Sequence, residues 1–297
     1  MELYLDNEID KKLSNLYTKE VLENVKPGVI DYLGMNIFET VDSDVELKIY
    51  YDNSFSKEEY EQKYKDPMID FLYEKDMIRF LEIVYDKDND ECGRFNIGLQ
   101  NLTNKNVLAL FNWLEENVSF FSKYKDEIMK FSTLECSLND DFKYASFYFI
   151  GVVKDNKKIK SLKCYWFTRT RESHKILNTE NHLNFISKSG VKAFQRLIPL
   201  TKEAINNCGN RLLMAGIDYN EKSSEKYKLY IDDPTDIYNG LLKTFYDNEE
   251  LKKKINLISE WHNIHQEFNA EGFAIGCDVN NNLILNFYFK FKEDSYK

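Results

Sequence analysis

The chain has 297 residues, 43% of them hydrophobic and 30% charged, which is enough apolar material for a large core and is ordinary for a soluble globular protein. Its 50 acidic and 40 basic side chains give a net charge of -10, which argues against nucleic acid as the main partner while leaving room for a local basic pocket. Five widely spaced cysteines (Cys92, Cys136, Cys164, Cys208, Cys277) form no C-x-x-C pair, so a disulfide framework and a structural zinc site are set aside and a cytoplasmic location is expected. MELYLDNEIDKK lacks a basic-then-apolar leader pattern, and no apolar run approaches the ~20 residues of a membrane span, so neither secretion nor membrane insertion is expected.

In chain order, the opening segment to Glu23 reads as a helix burying Leu3, Leu5, Leu13, Leu16 and Val21, closed by Pro27 and Gly28. A strand pair follows, Gly34 to Val41 and Val45 to Tyr51, around a polar turn at Asp42 to Asp44. Ser56 to Asp76 reads as a helix opened by a Ser56/Glu59 capping box and interrupted at Pro67. The second strand pair is Ile78 to Tyr85 and Gly93 to Leu99. It is followed by an amphipathic helix carrying Val107, Leu108, Phe111, Leu114, Val118 and Phe121 at helical spacing.

Thr133 to Leu138 is either an extra strand or the lead-in to a third pair, Ala145 to Val153 and Ile159 to Thr168. Helical sequence with breaks near Gly190 and Pro199 runs on to Cys208 and Gly209. The fourth pair is MAGIDYNEKSSEKYKLYI, Met214 to Ile231. Asp233 and Pro234 then look like the N-cap and first residue of a helix. Ile237, Leu241, Leu242, Phe245, Ile255 and Ile258 keep the helical period, and the last pair is Gly272 to Val279 and Leu283 to Phe291. Hairpin and helix thus alternate five times without a proline- or glycine-rich linker, so residues 1–297 are expected to form one domain. The ten antiparallel strands can lie as an open α+β sheet or close into one barrel with helices outside; the barrel is the expectation because it removes exposed edges.

The second arm of each hairpin repeats a polar alternation. Lys48 and Tyr50, Arg94 and Asn96, Lys163 and Tyr165, and Lys228 and Tyr230 stand two apart and so share a strand face, as do Asn286, Tyr288 and Lys290. K-x-Y in one hairpin is an ordinary solvent-facing pattern. Five in succession, each on the second arm, read instead as a lumen. Four enclosed cations repel strongly unless an anion joins them, and Lys and Arg beside phenols form charge-assisted hydrogen bonds to phosphate oxygens. Lys226, nearer its turn, is expected at the rim.

The architecture and the motifs LKIYYD, YKLYID and LNFYFKF resemble the ABBA aromatic prenyltransferases, whose PT-barrel is built from five αββα units. The cyanobactin peptide prenyltransferase branch is the nearest part of that family, through ASFYFIGVVKDNKK, LKCYWF, MAGIDYN and KYKLYI. The resemblance spans most of the chain as a pattern. It implies an allylic diphosphate donor (DMAPP or GPP) bound by Lys48, Arg94, Lys163, Tyr165, Lys228, Tyr230 and Tyr288. It also implies an aromatic small molecule or a peptide as acceptor. Lys48 falls where some members carry an Asp that holds magnesium, so Mg2+ becomes an optional cofactor and no metal ligands are assigned. Some members have a first-strand glutamate that takes the acceptor's proton. Here Leu33 or Gly34 aligns near that place, and Glu39 is the nearest carboxylate.

Asp218 and Asp278 occupy similar places in the last two hairpins, where paired carboxylates can hold magnesium or move protons, but turn capping is the expectation. His262 and His265 lack a third ligand at a telling spacing and are expected on a helix face. No G-x-S-x-G, P-loop or dinucleotide fingerprint occurs. The reading is therefore a monomeric prenyltransferase barrel, its rival a non-catalytic barrel holding an anionic ligand or a protein partner.

Overall fold

Alternating apolar and polar side chains make each hairpin arm a strand, and the strands close on one another. The computed structural model describes residues 9–11, 30–53, 66–86, 94–133, 147–155, 158–167, 179–209, 211–222, 225–232 and 234–292. All ten expected strands are present: β1 (Ile30–Phe38), β2 (Glu46–Asn53), β3 (Ile78–Asp86), β4 (Arg94–Leu99), β5 (Phe147–Asp155), β6 (Lys158–Phe167), β7 (Arg211–Asn220), β8 (Lys226–Asp232), β9 (Phe268–Asp278) and β10 (Leu283–Phe291). They run in the closed order β1-β10-β9-β8-β7-β6-β5-β4-β3-β2, every neighbouring pair antiparallel. β1 therefore pairs with both β2 and β10, and the barrel, not the open sheet, is the outcome.

Seven helices are described: α1 (Pro67–Glu74), α2 (Asn104–Asn117), α3 (Phe121–Thr133), α4 (Thr179–Lys188), α5 (Lys192–Cys208), α6 (Ile237–Thr244) and α7 (Glu249–Ile264). Alternate strand residues such as Met35, Ile49, Ile83, Ile97, Leu162, Ile217, Leu229, Ile275 and Phe287 are fully or nearly fully buried in one cluster with Phe111, Phe121, Leu197, Leu241, Ile258 and Trp261 of the helices. The main core thus lies between barrel wall and helix layer. At roughly 1.5–3 kcal/mol per buried large apolar side chain, that layer is large enough to carry a lumen lined with costly polar groups. A second, smaller cluster of Tyr165, Tyr230 and Ala274, with Phe149, Met214 and Tyr288 against it, is the lumen itself.

Several helix boundaries differ from expectation. Pro67 stands where an interruption was expected, and residues 54–65 before it lie outside the described residues. It is the first residue of α1, where its missing N–H is no loss, and Asp66 caps it by accepting from the Met68 and Ile69 amides. The Ser56/Glu59 box, most of the N-terminal helix and residues 134–138 lie outside the described residues. The single helix expected over Val107 to Phe121 is two, parted at Val118. Pro199 does not break α5; it sits on the exposed side, where water can take the bond given up by the preceding turn, and the break falls at Gly190 alone, in the left-handed region with φ 74°. Helix α6 starts at Ile237 rather than Pro234, because the Thr235 and Asp236 amides donate to the Cys208 carbonyl instead of opening a helix. His265 is buried, not on an open helix face. It lies 3.1 Å from Asp10, which also accepts from the Trp261 indole, and so ties the chain's beginning to α7.

One helix lysine holds a barrel turn. Lys254 of α7, 7% exposed, donates to the carbonyls of Phe38 and Thr40 (2.8 Å each) and to Ser43 Oγ (2.9 Å), and pairs with Glu250 at 3.1 Å. Lys254→Met removes all three donations and strands Glu250, so urea unfolding is expected to show a loss of about 2–4 kcal/mol. A loss within about 0.5 kcal/mol, the range of ordinary surface changes, would mean the turn is held by other contacts.

Candidate active site

Registry determines which side chains meet inside. Lys48 stands opposite Gly34, Gly34 opposite Tyr288, and Tyr288 opposite Gly272. Asn96 leads through Gly151 and Lys163 to Asp218, and Tyr165 through Gly216 to Lys228. Cross-strand partners share a face, so all seven expected donor-site residues (Lys48, Arg94, Lys163, Tyr165, Lys228, Tyr230, Tyr288) point into the lumen. There they form two layers.

The upper layer is a girdle of rings. Centroid separations run 5.6 Å from Phe80 to Phe149, 4.8 Å to Tyr165, 5.7 Å to Tyr230, 5.9 Å to Tyr288 and 6.1 Å to Tyr50. Most of these steps skip a strand, and the skipped strand offers Gly34, Gly98, Gly216 or Ala274. A methyl on Gly34 would lie 2.8 Å from the Tyr50 ring, one on Gly216 2.8 Å from Tyr165, and one on Gly98 would collide with Phe80. Large and small residues alternating around the barrel let the rings touch across the wall. Burial pushes the phenols of Tyr165, Tyr230 and Tyr288 well above their usual range, so they stay protonated and can donate.

The lower layer, one residue pair nearer the hairpin turns, holds the cations. Burial, and then the charges of Arg94, Lys163 and Lys228, push Lys48 well below the ordinary lysine range. Burial followed by Arg94 brings Lys163 down to about 7, against the opposing pull of Asp218, and burial brings Lys228 down to about 8. Arg94 also lies 6.0 Å from the Tyr50 ring centre. Lys226, expected at the rim, stands near the turn over Phe38, 5.4 Å from its ring centre.

Two carboxylates temper this repulsion. Asp218 does not cap a turn as expected but sits 3.3 Å from Lys163. Burial raises its carboxyl, yet Lys163, Lys228, Arg94 and Lys226 together hold it well below the usual range. Asp278 does cap its turn, accepting from Asn280 and Asn282. Glu46 lies 3.9 Å from Lys48. Among the described residues no group of three or more His, Cys, Asp or Glu can hold a metal ion, and the carboxylates nearest the cations already face lysines.

A cavity of about 360 Å³ opens above the girdle, at the end where helices join the strands. That volume suits a small organic ligand. The six rings line it together with Tyr32, Glu82, Asn96, Met214, Asp232 and Glu271. Glu39 is not among them. It points to the outside of the barrel, where its carboxylate accepts from Asn248 Nδ2 (3.0 Å) and the Leu283 amide (2.9 Å). One inward carboxylate is Glu82 of β3, 8% exposed, which accepts from Asn96 Nδ2. Its signal was the period of two in Phe80, Glu82 and Val84; Asp232 continues the alternation of Lys226, Lys228 and Tyr230. Glu271 gave no periodic signal, because it is the extra residue of a bulge: Tyr288 pairs with Gly272 but Phe289 with Ala270.

Solved structures share this architecture. NotF prenyltransferase superposes with a TM-score of 0.63 at 8% identity, over 90% of this chain and 82% of that one. AnaPT from Neosartorya fischeri gives 0.60 at 12% identity, over 90% and 79%. The 6-dimethylallyltryptophan synthase from Micromonospora olivasterospora, in complex with DMASPP and Trp, gives 0.53 at 11% identity, over 89% and 83%. The fold is the PT-barrel. No protein-family model and no curated protein matches the chain, so the relationship is carried by shape. Among the described residues, no helix of this PT-barrel is long and apolar enough to cross a membrane.

The lowered lysines have a measurable consequence. In the empty lumen Lys163 and Lys228 lose protons as pH rises past about 7 and 8. An anion settling between them restores the charge, so its binding takes up protons, and its affinity falls with rising pH, by about tenfold per unit for each proton taken up. Calorimetry of inorganic diphosphate in buffers of different ionisation heat should show proton uptake between pH 7 and 9; uptake of zero would separate these lysines from the anion site.

Proposed function

We propose that the protein is a prenyltransferase, moving a dimethylallyl or longer prenyl group from its diphosphate to an aromatic acceptor, either a small molecule or a peptide side chain. The observation that carries this is the stacking order in one closed lumen: cations below, neutral phenols and phenyl rings above, cavity on top. Lys48, Arg94, Lys163 and Lys228, with donation from Tyr165, Tyr230 and Tyr288, hold the diphosphate. The C1–O bond of the donor breaks and its electron pair leaves with the diphosphate, whose growing charge the cationic layer stabilises. The ring faces stabilise the allylic cation and the closed wall keeps water from capturing it. A carbon of the electron-rich acceptor bonds to C1, and the proton it then sheds passes to Glu82, a buried carboxylate in the cavity lining. Glu39 is outside this arrangement. The neighbours named above are prenyltransferases, and NotF has been solved with brevianamide F and DMSPP, which agrees with a donor and an aromatic acceptor sharing such a barrel.

The deciding experiment incubates the protein with dimethylallyl or geranyl diphosphate, with and without magnesium, and a panel of indoles, phenols and Tyr- or Trp-containing peptides. Prenylated product and released diphosphate are expected. Tight binding of a thiolodiphosphate analogue without turnover on any acceptor would favour the non-catalytic anion-binding barrel, and no binding at all would remove both readings. Lys228→Ala should weaken thiolodiphosphate binding roughly 10- to 100-fold, the loss of one charge-assisted contact, with the circular dichroism spectrum unchanged. Glu82→Gln should lower transfer by about 10²–10⁴ while sparing donor affinity; full activity in Glu82→Gln would place the proton acceptor elsewhere.

A further inference from the structure

A buried carboxylate stands among the lysines of the lower layer. Asp218 of β7 is the register partner of Lys163 on β6 and of Lys226 on β8, so a lysine flanks it on either side along the wall. Its carboxylate lies 3.3 Å from Lys163 Nζ, and Asp218, Lys163, Lys228 and Arg94 are each no more than 7% exposed. The strands beyond bring no further charge at this level: β5 sets Gly151 beside Lys163, and β9 sets Gly276 beside Lys228. The charged groups that act on the Asp218 carboxyl are Lys163, Lys228, Arg94 and Lys226, all of them cations. In return, Asp218 is the largest opposing pull on both Lys163 and Lys228. Glu46 opposes the lowering of Lys48, but from a side chain that is half in water.

We propose that Asp218 is a resident counter-ion, which occupies Lys163 in the empty lumen and yields it to the diphosphate of the donor. This rests on the reading of the lower layer as the diphosphate site and adds how that site lets its ligand go. The anion gains Lys163 only by breaking the Asp218 contact, and it then lies beside a carboxylate that repels it in a medium of low dielectric. Donor and product are therefore both held less tightly than the cations alone would hold them. Release of a multiply charged product from buried cations is slow, and product release limits many enzymes. When the diphosphate leaves, Asp218 takes Lys163 back, so the protein itself replaces the charge that departs. An ion pair serving the fold alone has a different signature. Breaking it costs stability and leaves ligand affinity unchanged or weaker, whereas neutralising an internal competitor makes the ligand bind more tightly.

The test is calorimetric titration of inorganic diphosphate and of dimethylallyl thiolodiphosphate into the wild type and Asp218→Asn. It is run at about pH 6, where Lys163 and Lys228 of the wild type are charged. The variant should bind both ligands at least about tenfold more tightly. Asp218→Glu keeps the charge and should show no such gain. Proton uptake gives a second readout. Without the pull of Asp218, Lys163 drops below about 7, so diphosphate binding to Asp218→Asn takes up protons at lower pH than in the wild type. The empty variant should also melt earlier, because its cations face one another with less opposing charge, and diphosphate should restore it. Asp218→Asn that binds diphosphate no better than the wild type, or that stays unfolded even with millimolar diphosphate, overturns the proposal, as does an equal gain in Asp218→Glu. Failure of the wild type to bind diphosphate is the failure of the underlying site reading, and is seen without any variant.

Discussion

Like charges held out of water are the constraint on which this molecule depends. Lys48, Arg94, Lys163 and Lys228 face one another in a lumen where burial alone lowers each lysine, and Asp218 and Glu46 supply only part of the opposing charge. These lysines hold their protons less tightly than a lysine in water does. The apolar layer between strands and helices bears that cost, and the helices are in turn locked to the barrel by polar contacts such as Lys254 with the β1–β2 turn and Lys154 with Asp66 under α1. An anion between these lysines would relieve the repulsion and turn part of that cost into binding affinity. The cationic layer is thus poor for folding and good for binding, as preorganised sites commonly are.

Closure and lumen chemistry are linked through side-chain size. Rings on alternate strands touch only because glycine or alanine lies between them, and two further glycines, Gly151 and Gly276, leave room for Lys163 and Lys228 to lie against the wall. A continuous girdle of rings, with no strand edge open to water, follows from this alternation. The phenols do double duty there: their faces make the apolar wall, and burial keeps their hydroxyls protonated.

Much of this was legible in the chain because strands are read with a period of two. Every hairpin is where the alternation placed it, and the polar alternation on the five second arms was enough to turn Lys48, Arg94, Lys163 and Lys228 to one inner face. What escaped lay where periodicity fails. Glu271 is turned inward by a bulge, and a bulge is a one-residue insertion that no face pattern announces. Glu82 and Asp232 did follow the pattern, but they sit on strand stretches beyond the repeated motif. Asp218 resembled Asp278 in local context, and only the pairing of β6 with β7 separates a turn cap from a lysine's partner. Pro199 misled for a similar reason: its exposed position within α5, not the residue type, decided the effect.

The bulge and the lysines also give the barrel a polarity of its own. With positive charge at one depth and negative charge at the other, the lumen axis is a standing electric dipole in a medium of low dielectric. Any elongated guest with unlike ends feels a torque before it touches a side chain, so orientation precedes contact. In such a lumen the orientation of a guest begins with a field, and steric fit has only to finish it.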